Sequence, residues 1–264
     1  MRASSTIAMA AATALAIACA ATPAATLAAA PRDVLPNLVE LPPTDLAVAV
    51  IEQPDGSSRY ELRFTSIAGN SGAGALEVRS TRRSSLAPWT SVQAVALAGG
   101  GARTAPLPIT IGYDDDPGHG HFHIARFERY ELTSAQGVIA RDSKAGYCLG
   151  DRTLLGTKPA KQRFATACRG RQPGALSLAQ GISPGWADPY AADLPGQAFD
   201  LTGLPDGTYT LVNRVNDQRL YLESSYADNV AATVFRLSRP DGAAAAPHVE
   251  QVTTCLAERC SQRG

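Results

Sequence analysis

Apolar and polar positions alternate with a period of two in several short runs along this chain, as they do in half-buried strands. The runs with this pattern, or with the β-branched and aromatic composition of strands, are residues 60–65, 76–79, 208–212 and 230–237. Turn signals rich in glycine or proline separate these runs, at residues 70–74, 99–101 and 205–207. No segment beyond residue 30 has a convincing 3.6-residue stripe. The pattern therefore predicts an all-β, sandwich-like antiparallel domain with long loops and little helix.

The first 30 residues differ from the rest in composition. Arg2 is their only charged residue, residues 7–20 are apolar, and an alanine-rich zone follows. This order predicts a secretory signal peptide, since the apolar run is too short and too rich in alanine for a membrane span. Cys19 follows a segment that faintly resembles a lipoprotein cleavage box, but an ordinary signal residue is the favoured interpretation. We expect a secreted chain, with lipid anchoring at Cys19 as the alternative.

Residue usage divides the chain into three parts. Residues 1–30 form the signal peptide, residues 31–240 the folded domain and residues 241–264 a C-terminal tail, which a Cys255–Cys260 loop could pin. The stretch from 31 to 43 is rich in proline and polar residues and predicts an extended lead-in.

Net charge bears on the partners that the protein could bind, and cysteine content bears on its disulfides. The chain has 24 basic and 24 acidic residues, so a nucleic-acid groove or an anionic membrane surface is not favoured as a partner. Four cysteines lie beyond the signal. An even number in an exported chain indicates disulfides. Three pairings are possible, and we favour Cys148–Cys168 with Cys255–Cys260 because these close the shortest loops.

Three of the four histidines lie in one short run, at His119, His121 and His123. On a strand this spacing would point all three imidazoles to the same face. Three nitrogen ligands suit copper, zinc, nickel or non-haem iron and leave a coordination position open, as in catalytic sites. Imidazoles without thiolates suit Cu(II), which stands at the top of the divalent affinity series. The alternative is a solvent-exposed histidine-rich loop.

Four segments in order resemble the lysyl oxidase family. They are DPGHGHFH followed by FERYEL (residues 116–123 and 127–132), KAGYCLGD (144–151), QGISPGWADPY (180–190) and ESSYADNV (223–230). The resemblance covers roughly residues 35 to 238 and is greatest to the bacterial single-domain members. It implies that the domain over residues 31–240 is a lysyl oxidase-like catalytic domain.

The resemblance implies specific roles for five residues. His119, His121 and His123 match the family's three copper ligands. Lys144 and Tyr190 match the pair that joins into lysine tyrosylquinone, the family's self-made cofactor. The implied activity is oxidative deamination of primary amines, either lysine side chains of exported proteins or small amines. Dioxygen would be the oxidant, and the products would be an aldehyde, hydrogen peroxide and ammonia.

The residues themselves leave several alternatives open. Lys144 is one of only three lysines, beside 21 arginines, and without the resemblance it would be taken for a surface lysine and Tyr190 for a packed aromatic. Asp116 stands where many relatives have a further histidine. It could ligate the metal, hydrogen-bond a ligand imidazole, or belong to a solvated acidic turn. Asp188 and Asp193 flank Tyr190 and are candidates for the base that removes the substrate's α-proton.

Two other functions compete with the oxidase. Residues 206–237 also resemble immunoglobulin-like adhesion domains, so the chain could be a non-catalytic metal-binding module of an exported or surface protein. A zinc hydrolase is the third hypothesis, but the chain has no helix-borne His-Glu motif.

Overall fold

The structure is a computed structural model and describes residues 32–116, 119–142, 146–164, 167–194, 196–242 and 245–260. Strands make up about half of the described residues, which contain no helix. The strands are β1 Asp33–Val34, β2 Leu38–Glu52, β3 Ser58–Asn70, β4 Leu76–Thr81, β5 Thr90–Leu97, β6 Ala102–Pro106, β7 Ile111–Asp114, β8 His121–Ile124, β9 Glu128–Ser134, β10 Gly137–Asp142, β11 Thr153–Leu154, β12 Ser177–Ile182, β13 Trp186–Tyr190, β14 Ala198–Asp200, β15 Gly207–Val215, β16 Val230–Ser238 and β17 His248–Cys255.

All strand pairings are antiparallel and build three five-stranded sheets and one hairpin. The first sheet has the order β1-β5-β4-β12, with β6 on β5. The second has the order β10-β9-β15-β16-β17, and the third the order β11-β13-β3-β14, with β2 on β3. The pair β7-β8 forms the separate hairpin. The prediction of an all-β antiparallel domain is confirmed.

The main core forms where the third sheet packs on the second. Leu62 and Phe64 of β3 lie at alternate positions and are fully buried, as the period of two requires. Phe64 contacts Tyr130 of the second sheet edge to face, at 5.0 Å between ring centroids. A fully buried side chain of this size contributes about 1.5–3 kcal/mol to folding. A second apolar cluster continues from here towards the hairpin and includes Ile124 and Tyr147.

The predicted strands and turns agree with the structure. The runs at 60–65, 76–79, 208–212 and 230–237 lie within β3, β4, β15 and β16. The glycines at 99–101 lie in the turn and loop between β5 and β6, and all three have positive φ, for which glycine carries no steric penalty.

The C-terminal region differs from the predicted tail. Residues 248–255 form β17, which pairs with β16 over most of its length. Sequence pattern missed this strand because its side chains are mostly half-buried or exposed, as on an edge strand, and no apolar alternation marks it. Both predicted disulfides, Cys148–Cys168 and Cys255–Cys260, are confirmed.

The predicted signal peptide, residues 1–30, and Cys19 lie outside the described residues. Within the described ranges, no helix is long and apolar enough to cross a membrane.

Glu40 is a buried acid whose charge should cost stability. Its side chain on β2 is 1% exposed, and neither carboxylate oxygen has a hydrogen bond of normal geometry, although Asn213 is close enough to lower its pKa in part. Burial, and next the negative charge of Glu128, raise the pKa of Glu40 well above its usual value. Folding raises the pKa of this carboxyl, so the folded state holds the proton more tightly than the unfolded state does. The resulting stability is fully present below the pKa of the unfolded state and is lost as the pH rises through the pKa of the folded state.

We therefore expect Glu40→Gln to be more stable than the parent at pH 8, by on the order of 1 kcal/mol or more, because the amide carries no charge to bury and each unit by which folding raises a carboxyl pKa costs about 1.4 kcal/mol. The gain should shrink towards pH 5, where Glu40 holds its proton. Urea unfolding at both pH values measures the difference. Glu52→Gln, at an exposed position of the same strand, is the control and should show no such pH dependence. Parallel stability–pH curves for Glu40→Gln and the parent would contradict this expectation.

Candidate metal centre

The hairpin β7-β8 carries two of the three clustered histidines. His121 pairs with Asp114 and His123 with Gly112 across the hairpin. Phe122 and Ile124 alternate with the two histidines and are buried, so the imidazoles point to the opposite, half-buried face. Their ring centroids are 4.5 Å apart.

His119 does not lie on this strand, which corrects the prediction that one strand carries all three histidines. The strand begins only at His121, and Gly120 has a φ of +63°, a left-handed conformation that bends the chain before it. The His119 ring nevertheless returns to the same place, with its centroid 5.7 Å from that of His121 and 5.4 Å from that of His123. The three imidazoles therefore converge through a bend rather than through strand alternation.

Each imidazole has a polar contact at Nδ1. The Nδ1 of His119 contacts the Oδ2 carboxylate oxygen of Asp114, and the Nδ1 of His123 lies 3.4 Å from the same oxygen. The Nδ1 of His121 is 2.9 Å from the carbonyl oxygen of His119. A proton on Nδ1 leaves the lone pair on Nε2, and metal-binding histidines usually have this arrangement. All three rings can thus offer Nε2 to a metal.

Asp114, not Asp116, is the carboxylate that holds the imidazoles, and the sequence analysis missed it. Asp116 is exposed in the turn, where its N–H donates to Asp114 and its carbonyl accepts from the His119 N–H. Of the three alternatives for Asp116, the structure agrees with the solvated turn. Partial burial raises the pKa of Asp114, but the hydrogen bond with His119, the Asp116 amide and the two nearby imidazoles outweigh it and lower this pKa overall.

The donor atoms fit a metal ion. The Nε2 atoms of His121 and His123 are 2.8 Å apart. Two nitrogens bound to one ion at about 2.0–2.1 Å, at a right angle, have about this separation. One ligand atom from each of Asp114, His119 and His123 also lies within 4.8 Å of the others, a group that includes the carboxylate of Asp114 and does not include His121. An open cavity of about 350 Å³ adjoins His123 and is bordered by the acidic turn, Asp114 to Asp116.

Lys144 lies outside the described residues, but the segment that follows it is in contact with the cluster. A Cβ added to Gly146 would lie 2.4 Å from the Cβ of His123 and 2.6 Å from its Nδ1. Tyr147, the next residue, is fully buried and forms a backbone bridge with Ile124 of β8. The chain just after Lys144 is therefore packed directly against the histidine strand.

Tyr190 is buried at the end of β13 and contacts this same segment. Its ring lies edge to face with that of Tyr147, at 5.0 Å between centroids. Its hydroxyl donates to the Oδ2 of Asp188 at 2.9 Å. Burial, and then the negative charge of Asp188, raise the pKa of Tyr190 well above its usual value. Tyr147 is thus a site residue that the motifs contain but that sequence reasoning did not single out.

The two flanking carboxylates, both considered as bases, have different surroundings. Asp193 is exposed, whereas Asp188 is fully buried on β13. Asp188 accepts hydrogen bonds from the Nε of Arg152 at 2.6 Å and from the backbone N–H of Gly150 at 3.0 Å. Burial raises the pKa of Asp188 to about 6, although Arg152, Tyr190 and the Gly150 amide each act to lower it.

Buried polar contacts join the segment 144–151 to the segment 180–190. Asp151 accepts from the N–H of Ser183 at 2.7 Å and from its hydroxyl at 2.8 Å. Gln180 accepts from the N–H of Leu149 at 2.9 Å. The segment 223–230 has another role, since the carboxylate of Glu223 accepts from the Leu38 N–H and holds the start of β2.

Known proteins are similar to the part of the chain that contains this cluster. The family model described as lysyl oxidase matches residues 92–241. Protein-lysine 6-oxidase of Rattus norvegicus is 35% identical over 121 residues, which are 45% of this chain and 27% of the relative. The Sus scrofa protein of the same name is 34% identical over 121 residues, 45% of this chain and 44% of the relative. Lysyl oxidase homolog 1 of Homo sapiens is 34% identical over 116 residues, 42% of this chain and 18% of the relative.

The matched part spans less than half the length of each of these relatives. The family match, in contrast, covers more than half of this chain and includes the three clustered histidines, Lys144 and Tyr190. On this ground, the chain belongs to the lysyl oxidase family.

Proposed function

We propose that the chain is a copper-dependent oxidase of primary amines. The observation that carries the proposal is the convergence of three imidazoles, each with Nδ1 engaged and Nε2 left to bind a metal. An all-nitrogen donor set without thiolates suits Cu(II), and family membership supports copper over zinc.

His119, His121 and His123 would hold the copper ion, which supplies redox chemistry with dioxygen. The carboxylate of Asp114 lies against the Nδ1 atoms of His119 and His123, which would leave the Nε2 atoms of these two rings to the metal. The bend at Gly120 brings His119 back to its two neighbours. Three protein ligands would leave a position open, as catalytic metal sites require.

Lys144 and Tyr190 would form the cofactor, lysine tyrosylquinone, by a cross-link between the two side chains. Two contacts support this pair. The Gly146 backbone lies against His123, and the ring of Tyr147 packs against that of Tyr190. The quinone would supply an electrophilic carbonyl for a substrate amine, and the protein would hold the ring and exclude water from it.

The substrates would be primary amines, either lysine side chains of exported proteins or small amines. The products would be an aldehyde, hydrogen peroxide and ammonia, with dioxygen as the oxidant. The open cavity beside His123 supports a cationic substrate, because Asp115 and Asp116 at its border are exposed acids that would attract an ammonium group.

We further propose that the protein is exported and that residues 31–240 contain the catalytic domain. The two disulfides support export, since such bonds persist in oxidising compartments. The pattern of residues 1–30 supports a cleavable signal peptide.

Single substitutions of the clustered histidines should weaken copper binding. His121→Ala removes a nitrogen that lies 2.8 Å from its counterpart on His123, and we expect at least about a tenfold loss of Cu(II) affinity. Asp114→Asn should produce a smaller loss, since the rings would remain but lose their carboxylate partner. Isothermal titration of metal-free protein with Cu(II) measures both. The control is His248→Ala, at an exposed histidine on β17. Equal affinity of His121→Ala and the parent would refute the copper site.

Loss of either cofactor residue should abolish amine oxidation. We expect Lys144→Arg and Tyr190→Phe to release no hydrogen peroxide with any amine, because neither can complete the cross-link. The assay is peroxide release from copper-loaded protein, with a lysine-containing peptide and an alkyl monoamine in parallel. Lys158→Arg, at an exposed lysine, is the matched control and should keep full activity. Peroxide release by Lys144→Arg at the parent rate would disprove the role of Lys144. A parent protein that binds zinc tightly and yields no peroxide would favour the non-catalytic module.

A further inference from the structure

Asp188 is a buried carboxylate that accepts a hydrogen bond from the hydroxyl of Tyr190. Both residues lie on β13 two positions apart, so they share one face of the strand. The Tyr190 hydroxyl donates to Oδ2 of Asp188 at 2.9 Å. The same oxygen accepts from the Gly150 N–H at 3.0 Å, while Oδ1 accepts from Arg152 at 2.6 Å. Asp188 is thus fixed at both oxygens, is fully buried and faces the one phenol that the proposed cofactor requires.

We infer that Asp188 is the proton acceptor for the phenol of Tyr190 during formation of the cross-link with Lys144. The inference rests on the proposed function. In this step the ring of Tyr190 loses an electron to the oxidant that the proposed function supplies, dioxygen with copper. As it does so, the O–H bond breaks, the electron pair of that bond stays on the phenol oxygen, and the proton moves to Oδ2 of Asp188.

The groups around Asp188 and Tyr190 keep the proton on the Tyr190 hydroxyl until the ring is oxidised. Tyr190 faces Asp188 on its own strand, and the electrostatic influence of Tyr147 and Glu128 from neighbouring segments also reaches it. Asp188 faces Arg152, which lies just before β11, as well as Tyr190. The pKa of Asp188 is about 6 and that of Tyr190 is well above 10, so at rest the proton stays on Tyr190 and Asp188 is an available carboxylate at neutral pH. An oxidised phenol is far more acidic, so on oxidation the pKa of Tyr190 falls below that of Asp188 and the proton moves to the carboxylate.

The contrast with Asp193 shows why only one of the two flanking acids can act in this way. Asp193 is exposed to solvent. Asp188 has no solvent to compete for the proton, and its hydrogen bond to the phenol is already formed. A general base must lie within hydrogen-bond reach of the proton that it takes.

The first test uses metal-free protein, so that it does not depend on activity. Infrared difference spectra between pH 5 and pH 8 should show, in the parent, a carboxyl band that titrates near pH 6 and is missing from Asp188→Asn. In Tyr190→Phe this band should titrate at a higher pH, because the hydrogen bond from Tyr190 lowers the pKa of Asp188. Asp193→Asn should keep the band unchanged. A band that does not respond to Tyr190→Phe would overturn the inference.

The second test measures how fast the cross-link forms after Cu(II) is added in air, at equal bound copper. We expect Asp188→Asn to form it about 100-fold more slowly than the parent, which is a typical contribution of a positioned base. Asp193→Asn should form it at the parent rate. If Asp188→Asn does not fold, Arg152→Gln replaces it, since Arg152 is partly exposed and its loss should raise the pKa of Asp188 and slow the reaction at pH 7.

The rates of cross-link formation in the parent and in Asp188→Asn distinguish failure of the role of Asp188 from failure of the proposed function. A parent that forms the cross-link and an Asp188→Asn variant that forms it equally fast would overturn the inference alone. A parent that forms no cross-link with copper and oxygen would overturn the proposed function, and the role of Asp188 with it.

Discussion

The close approach of the Gly146 backbone to the imidazole of His123 is the contact on which the candidate site depends. A Cβ at position 146 would lie 2.4 Å from the Cβ of His123, a separation that side chains do not tolerate. Only glycine lets the chain that follows Lys144 lie against the histidine strand, and the backbone bridge between Tyr147 and Ile124 holds it there. The histidine strand and the segment that begins at Gly146 are thus coupled by packing, although more than 20 residues separate Gly146 from His123 in sequence.

Tyr190 is coupled to the same place through a second set of contacts. Its ring packs on Tyr147, and its hydroxyl is tied to the buried carboxylate of Asp188. Asp151 and the Cys148–Cys168 disulfide hold the neighbouring segments. A reactive group is useful only when the residues that support it keep their own geometry. In the described residues, buried hydrogen bonds and antiparallel strands hold the residues around Tyr190 in place.

Sequence alone predicts the regular parts of this fold well. The strands with alternating side chains were identified because each has one face in a core, and the disulfides because short loops favour their closure. The spacing of the histidines predicted that they would cluster, and the donor type is the basis for proposing copper. Two things were beyond reach. His119 joins its neighbours through a bend at Gly120, and Asp114 reaches the rings from the opposite strand of a hairpin. Both contacts depend on how the hairpin folds in three dimensions, and the local pattern of apolar and polar residues does not predict this.

Two further features were missed for related physical reasons. The edge strand β17 has few buried side chains, so it has no apolar period to detect. Asp188 and Asp193 could not be distinguished in sequence, since both flank Tyr190. Burial and the ion pair with Arg152 separate them only in three dimensions. The roles proposed for Lys144 and Tyr190 come from family resemblance, because an isolated lysine and an isolated tyrosine carry no chemical signature of their own.

Peptide mapping by mass spectrometry of protein loaded with Cu(II) in air, beside protein kept metal-free, is the most direct test of the proposed cofactor. We expect one cross-linked peptide pair that contains Lys144 and Tyr190, present only after copper and oxygen are supplied. Recovery of Lys144 and Tyr190 in separate, unmodified peptides from the copper-loaded, oxygen-exposed protein would contradict it.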